Sequence, residues 1–409
     1  MSLVSSELIS VAVARQRVLA ATHPLDPQPV PVAEALGRVL AAGVAAAGDL
    51  PPFASSAMDG YAVQPGPAGR VLMVVGESRA GRPSSAGLET GQAIRISTGA
   101  AVPAEASAVI RQEDVAEDGS QITTSAGVSP GANIRAAGEV MRSGQPVLAA
   151  GTSIGPPELG AAVAAGVAEV LARPQPRVEV LCTGDELREP GAELKDGEIH
   201  NSNGPMLVAY ARQEGTATAA ARLLADELEA IEAGLARALD QADVVLVSGG
   251  VSVGPHDHVK PALANLGVDE SFWGVALQPG KPTWFGSRGR RLVFGLPGNP
   301  VSAAVTFALF VVPALRRLRG LDPNPPGPTQ ARLAGDPVPR NRRREQALRV
   351  RLEPADGTTI ARVNGAQGSH VITSLVGADA LALIPPGEGA VKPGSQVALQ
   401  PLARYTLSP

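Results

Sequence analysis

The sequence predicts a multidomain α/β protein, and three observations carry that reading. Its 409 residues exceed what one ordinary hydrophobic core holds. Apolar strand-like runs at 178–182, 244–247 and 292–294 each lead into a loop of small polar residues and on toward an apolar helical pattern, the alternation expected of βαβ units. Short β-like runs at 70–75, 93–96, 108–111 and 121–124 alternate with Gly, Pro and Ser turns, which marks a separate β-rich region.

Taken in order, residues 1–52 carry helical patterns that end near Asp49-Leu-Pro-Pro52, and strand-then-helix character returns over 137–172. Residues 53–136 therefore read as a β-rich domain inserted into an N-terminal domain built from 1–52 and 137–176. The first twenty residues have an amphipathic helical pattern, without the basic start and long apolar stretch of a signal peptide. The 177–322 region alternates strands and helices. Its clearest helix follows Asp226, with Leu228, Ile231, Leu235 and Leu239 on one face, and Asp226 with Glu229 reads as a capping-box start. The Pro-rich stretch 322–328 leads into 323–409, short strands and Gly/Pro turns that suggest a small β-barrel or clip. The longest uncharged apolar run, 301–315, contains Pro313 and falls short of the roughly 18 residues a membrane span needs.

Composition narrows the function. Apolar residues make up 44% and charged residues 18%, as in globular proteins. Aromatics at 3% supply no stacking platform for single-stranded nucleic acid, and a net charge of -4 lacks the basic excess that phosphate-backbone binding demands. The single cysteine, Cys182, excludes an internal disulfide and a Cys-based metal cluster; inside a strand pattern it reads as a small buried hydrophobe. A cytoplasmic protein with no nucleic-acid partner and no membrane insertion is expected.

The three strand-end loops carry the chemistry. In open parallel sheets ligands sit outside the carboxyl ends of the strands, and a helix N-terminus there offers unpaired N–H groups to an anion. The loops read Thr183-Gly184-Asp185-Glu186, Ser248-Gly249-Gly250-Val251-Ser252 and Pro297-Gly298-Asn299-Pro300-Val301-Ser302. Asp185, Glu186 and Asp257 are hard oxygen ligands that suit Mg²⁺ shared with a phosphate; each alone reads first as a turn or cap residue, and only three on one edge beside Gly-rich loops bring the two readings level. His256 and His258 flank Asp257 in a Pro/Gly loop, where alternating residues read first as solvated. Lys281, in the turn Gln278-Pro279-Gly280-Lys281-Pro282, serves either a small anion or the surface. Arg342-Arg343-Arg344 reads as a solvated basic turn. The pattern Gly250-Val-Ser252-Val-Gly254 nominates Ser252 as a hydrolase nucleophile, but such an elbow runs directly into a helix, whereas Pro255 intervenes and the helical pattern resumes near Lys260.

Seven motifs in order complete the picture: Ser56-Ala-Met-Asp59-Gly-Tyr61, Thr98-Gly99, Thr183–Glu186, Ser248–Ser252, Pro279–Pro282, Pro297–Ser302 and Gln367-Gly-Ser369. Together they resemble the molybdopterin molybdenumtransferase family, the bacterial MoeA proteins and the gephyrin E domain, over essentially the whole chain. The resemblance implies a homodimer of elongated, four-domain subunits, with a three-layer αβα MoaB/MogA-like domain at 177–322. It implies Mg²⁺-dependent cleavage of adenylylated molybdopterin, releasing AMP and leaving molybdenum from molybdate on the dithiolene, with molybdopterin adenylyltransferase as substrate donor. Carried over residue by residue, Thr183, Gly184, Asp185, Asn203, Ser248, Gly249, Gly250, Val251, Ser252, Pro297, Gly298 and Asn299 would hold the nucleotide and pterin. Lys281, Ser302, Arg349 and Ser369 would line the molybdate pocket. Glu186, Asp226 and Asp257 would act in catalysis with Lys281, with Asp185, Glu186 and Asp257 at the metal. Asp59 and Thr98 would reach the partner subunit's cleft. Three positions depart from the family pattern: Gln278 and Val140 stand where Lys and Asp are common, and Ala225 replaces the first Asp of an Asp-Asp pair. Those departures motivate an alternative, a gephyrin-like scaffold that binds a protein partner.

Overall fold

The computed structural model describes residues 8–250, 257–355 and 357–402. The chain divides into two compact units, one formed by 29–36 and 40–172 and the other by 1–28, 37–39 and 173–409.

In the first unit, a six-stranded sheet runs in the order Ala108–Arg111, Gly60–Val63, Gln92–Ile96, Val71–Ser78, Gln121–Thr124, Val115–Asp118. The four β-like runs of the sequence are all present. Side-chain alternation sends Tyr61, Val63, Leu72 and Ile110 into one apolar cluster and Ala62, Ile94, Ile96 and Val109 into another. Gly60 pairs with Arg111 so closely that a Cβ would lie 2.0 Å from the Ile110 carbonyl oxygen, which excludes any larger residue after Asp59. A third cluster of this unit gathers Leu40, Val44, Ile154, Ala162 and Val170 around the helix Pro156–Ala164. The helical expectation for 1–52 needs correction. Helix covers Val11–Ala21, and Gln28–Pro31, Val39–Leu40 and Val44–Ala45 are strands too short for periodicity to reveal.

The second unit centres on a mixed sheet ordered Ala217–Thr218, Arg177–Thr183, Val244–Ser248, Arg291–Leu296, Trp284–Arg288, Asp269–Trp273. The first four strands are mutually parallel, with Cys182 opposite Ser248 and Ser248 opposite Leu296. All three polar loops therefore leave the sheet at one edge, in register. Because both faces are covered, the strands read as continuous apolar runs. Val178, Val180, Cys182, Leu246 and Phe294 pack with the helix Asn203–Gln213 and the long helix after Pro300. Leu181, Val245, Val247 and Val293 pack with Ile231, Leu235 and Leu239 of Leu228–Gln241 and with Val259–Asn265. Helices on both faces make this region a three-layer αβα sandwich. Each fully buried Leu or Ile stabilises it by about 1.5–3 kcal/mol.

Pro300–Leu318 forms one continuous helical stretch of 19 residues, longer than the uncharged run suggested, and 89% of its most apolar 18-residue window is buried. It is the central core helix of this unit. A π turn over Phe307–Val311 widens the helix just before Pro313, where the missing N–H and the ring would otherwise break the ladder.

The remaining strands, Gln330–Ala334, Glu345–Ala355, Thr358–Val363, Ala380–Ile384 and Gln396–Pro401, close on themselves, since Glu345–Ala355 pairs with both Thr358–Val363 and Ala380–Ile384. This is the small β-barrel expected for the carboxyl-terminal region. Leu277–Gln278, from the αβα layer system, adds to it in parallel, with Gln278 opposite Gln346.

Candidate active site

At the sheet edge, the loops after Thr183, Ser248 and Leu296 line a cavity of about 470 Å³ together with Ile199, His200, Asn201, Ser202 and Asn203. Asn203 lies at the start of its helix and is buried. Its Nδ2 donates to Ser248 Oγ at 2.9 Å and to the Gly298 carbonyl at 2.7 Å, joining two of the loops. Gly249, at φ +94°, brings the backbone so near Thr183 that a Cβ would sit 2.4 Å from the Thr183 carbonyl oxygen. Asn203 Oδ1 and Thr183 Oγ1 are buried without hydrogen-bond partners in the described structure. A native protein rarely leaves such atoms unmatched, so water, an ion or a ligand is expected to complete them.

A second cavity, of about 360 Å³, shares Pro282, Asn299 and Ser302 with the first. Lys281, Arg344 and Arg349 line it with Gln278, Ser369 and Gln367, and none of its lining residues is a carboxylate. Arg349 is fully buried. Its Nε donates to Ser374 Oγ, its Nη1 to the Ala347 carbonyl, and its Nη2 to the carbonyls of Ala366 and Gly368. Burial pushes its guanidinium down to about 10, so it stays charged at neutral pH. The helix beginning at Pro300 contributes less than expected to an anion, because the Val301 N–H is taken by the Ser369 carbonyl.

Several sequence expectations change here. Asp226 does not cap the following helix: Glu227 is the N-cap, with no side-chain cap bond, and the helix starts at Leu228. The Asp226 N–H instead donates to Asp185 Oδ1 at 3.3 Å, and Asp226 Oδ1 is buried without a partner. Asp185, Glu186 and Asp257 do not form one ligand cluster; among the described residues no three His, Cys, Asp or Glu side chains converge. Burial holds the Lys260 ammonium below its usual range, an effect that nearby Asp257 and Glu270 only partly oppose, and Lys260 lies 4.0 Å above the Trp273 ring. Glu186 does line the first cavity. Asp226 nevertheless presents a buried oxygen without a donor beside the exposed Asp185 carboxylate, which suits a divalent cation held by one or two carboxylates and a substrate phosphate. Arg344 is a correction too. Sequence reading placed it on a solvated turn, but it is half-buried against the second cavity.

Gly184 and Gly250 are placed at the loop ends, while Val251, Ser252 and His256 lie outside the described residues. Asp59 and Thr98 belong to the other unit, where the Thr98 N–H donates to Asp59 Oδ1 at 2.8 Å. Sequence reasoning missed His200, Asn201 and Ser202. The polar run between a short strand and an apolar helix, ahead of Asn203, was the available signal.

An αβα layer with a strand-edge cavity and an adjoining carboxylate-free cavity defines an α/β protein that binds anionic ligands. Family comparison makes this specific. Residues 9–166 match the MoeA N-terminal region (domain I and II), 179–317 a probable molybdopterin binding domain, and 331–402 the MoeA C-terminal region (domain IV). Molybdopterin molybdenumtransferase 2 of Mycobacterium tuberculosis is 38% identical over 384 residues, covering 91% of this chain and 94% of that protein. Molybdopterin molybdenumtransferase of Haemophilus influenzae is 35% identical, covering 90% and 92%. A solved molybdopterin biosynthesis MoeA protein from Pyrococcus horikoshii superposes with a TM-score of 0.79 at 30% identity, covering 98% of this chain and 100% of that one. The chain belongs to the MoeA family of molybdopterin molybdenumtransferases, enzymes of molybdenum cofactor biosynthesis.

Proposed function

We propose that the protein transfers molybdenum from molybdate to adenylylated molybdopterin, with Mg²⁺-dependent release of AMP. The observation that carries this reading is the second cavity: Lys281, Arg344 and Arg349 line it without a single carboxylate, and it shares Ser302 and Asn299 with the loop-lined cavity. A compact dianion is favoured there by charge and by the Ser302 and Ser369 hydroxyls. The first cavity suits the organic substrate. Asn203 Oδ1 and Thr183 Oγ1 offer unmatched polar atoms to the N–H groups of a pterin, and the Ser248-Gly249 backbone turns toward its phosphate.

Asp185 and Asp226 would hold Mg²⁺ together with a phosphate of the substrate. When bound, the ion offsets charge that develops on the cleaved phosphate. Lys281 holds the anion beside the pterin end, so that positioning rather than covalent catalysis is the protein's main contribution. The reading includes a homodimer, which a monomer mass in light scattering would remove.

The test is direct: purified protein, adenylylated molybdopterin, molybdate and Mg²⁺ should yield AMP, and omission of either ion should suppress it. A second reading, the gephyrin-like scaffold, draws on Val140, which is 59% exposed and apolar. No AMP under conditions where a related insertase turns over would leave that reading in place of the first.

A further inference from the structure

Within the second cavity the cations are not equivalent. Arg349 has four of its five N–H donors engaged, by Ser374 Oγ and the carbonyls of Ala347, Ala366 and Gly368, so it acts on an anion mainly through charge. Lys281 and Arg344 have no hydrogen-bonded or ion-paired carboxylate among the described residues. The neighbours of Arg344 in sequence differ from it. Arg343 is exposed, and Arg342 is exposed and lies 3.9 Å from Glu388.

The turn that presents Arg344 is locked by one side chain. Asn341 Oδ1 accepts the backbone N–H groups of Arg343 and Arg344, both at 2.9 Å. The Asn341 N–H donates to Gln346 Oε1 at 2.9 Å, and its Nδ2 donates to Gln278 Oε1 at 2.6 Å. Gln278 thus lends the cavity no charge but anchors the turn that carries a charge into it. The pairing of Gln278 with Gln346 fixes the two strands on which this arrangement rests.

We infer that Arg344 is the second oxyanion-binding cation of this site, acting with Lys281 to match a tetrahedral dianion of the molybdate class. This rests on the insertase reading. A guanidinium can grip two oxygens of one tetrahedral anion at once, which a lone ammonium cannot. The unpartnered half-buried guanidinium is then explained, since its counter-charge is the substrate.

Equilibrium dialysis of the full-length protein against molybdate tests the inference. Arg344→Gln should lower molybdate affinity at least tenfold with an unchanged thermal melt, Arg344→Lys should recover part of the loss, and Arg343→Gln should bind as the parent does. If Arg344→Gln binds molybdate within twofold of the parent while Lys281→Gln loses it, Arg344 is not a ligand and the insertase reading stands. If the parent protein shows no saturable molybdate binding, the insertase reading and the inference fall together.

Discussion

Asn203 Nδ2 lies 2.9 Å from Ser248 Oγ and donates to it, while the same amide reaches the Gly298 carbonyl at 2.7 Å. One side chain on a helix therefore sets the distance between two strand-end loops. Replacing it leaves a buried carbonyl and a buried hydroxyl without their donor, a cost of about 1–3 kcal/mol. Asn203→Ala should lower the melting temperature and weaken binding of molybdopterin, read by calorimetry and fluorescence titration. An unaltered melt would show that the loops hold their spacing without it.

Gly249 makes a backbone approach that no other residue tolerates. Gly249→Ala would force a Cβ to within 2.4 Å of the Thr183 carbonyl oxygen, at a φ of +94°. Left-handed strain alone costs of order 1–3 kcal/mol, and the collision adds to it. Lower stability together with lost AMP release is expected, measured by denaturant unfolding and turnover.

Asp226 separates a structural from a catalytic role. Since Glu227 is the N-cap, Asp226→Asn should leave the helix and the global stability nearly unchanged. Its buried carboxylate oxygen beside Asp185 predicts instead a rise of roughly tenfold in the Mg²⁺ concentration needed for half-maximal AMP release, about 1.4 kcal/mol of lost cation binding. A destabilised protein with unchanged Mg²⁺ dependence would return Asp226 to structure.

Gln278→Lys places a new cation on the second cavity but removes the acceptor of Asn341 Nδ2. Molybdate affinity should rise several-fold at low ionic strength, with the gain shrinking as salt screens it. The melt should fall slightly, by the loss of one hydrogen bond worth about 1 kcal/mol. Unchanged affinity at every salt concentration would mean that position 278 does not face the anion.

Cys182 gives a pH signature. Burial pushes its thiol up to about 11, while an exposed thiol titrates near 8.5. Below 8.5 both states hold the proton and stability is independent of this group. Between 8.5 and about 11 the unfolded chain releases its proton and the folded chain does not, so stability falls as pH rises. The full loss is about 3 kcal/mol. Unfolding of the parent and of Cys182→Ala, compared from pH 7 to 11, should show the alkaline slope to be steeper in the parent. Equal slopes would deny the shift.

The core was legible because its signals are local. The apolar runs ending at Thr183, Ser248 and Leu296 can only be strands covered on both faces, and the 3.6-residue spacing from Leu228 to Leu239 can only bury one helical face. The loop motifs were legible for the same reason, being contiguous. Arg344 was not. Its position depends on Leu277–Gln278 joining a strand some seventy residues later, and nothing in a basic triplet announces that pairing. Asp226 misled because a capping box and a catalytic carboxylate use the same residue types, and the difference is where the helix begins. The short strands between 28 and 45 have two to four residues each, too few for alternation to register.

The claim on which the chemistry depends is that the hollow lined by Lys281, Ser302 and Ser369 accepts a tetrahedral oxyanion. Crystals of the full-length protein soaked in molybdate, with diffraction recorded at the molybdenum edge, test it most directly. An anomalous peak within contact distance of the Lys281 ammonium and the Ser302 hydroxyl is the predicted result. Molybdenum peaks confined to other parts of the surface would contradict it.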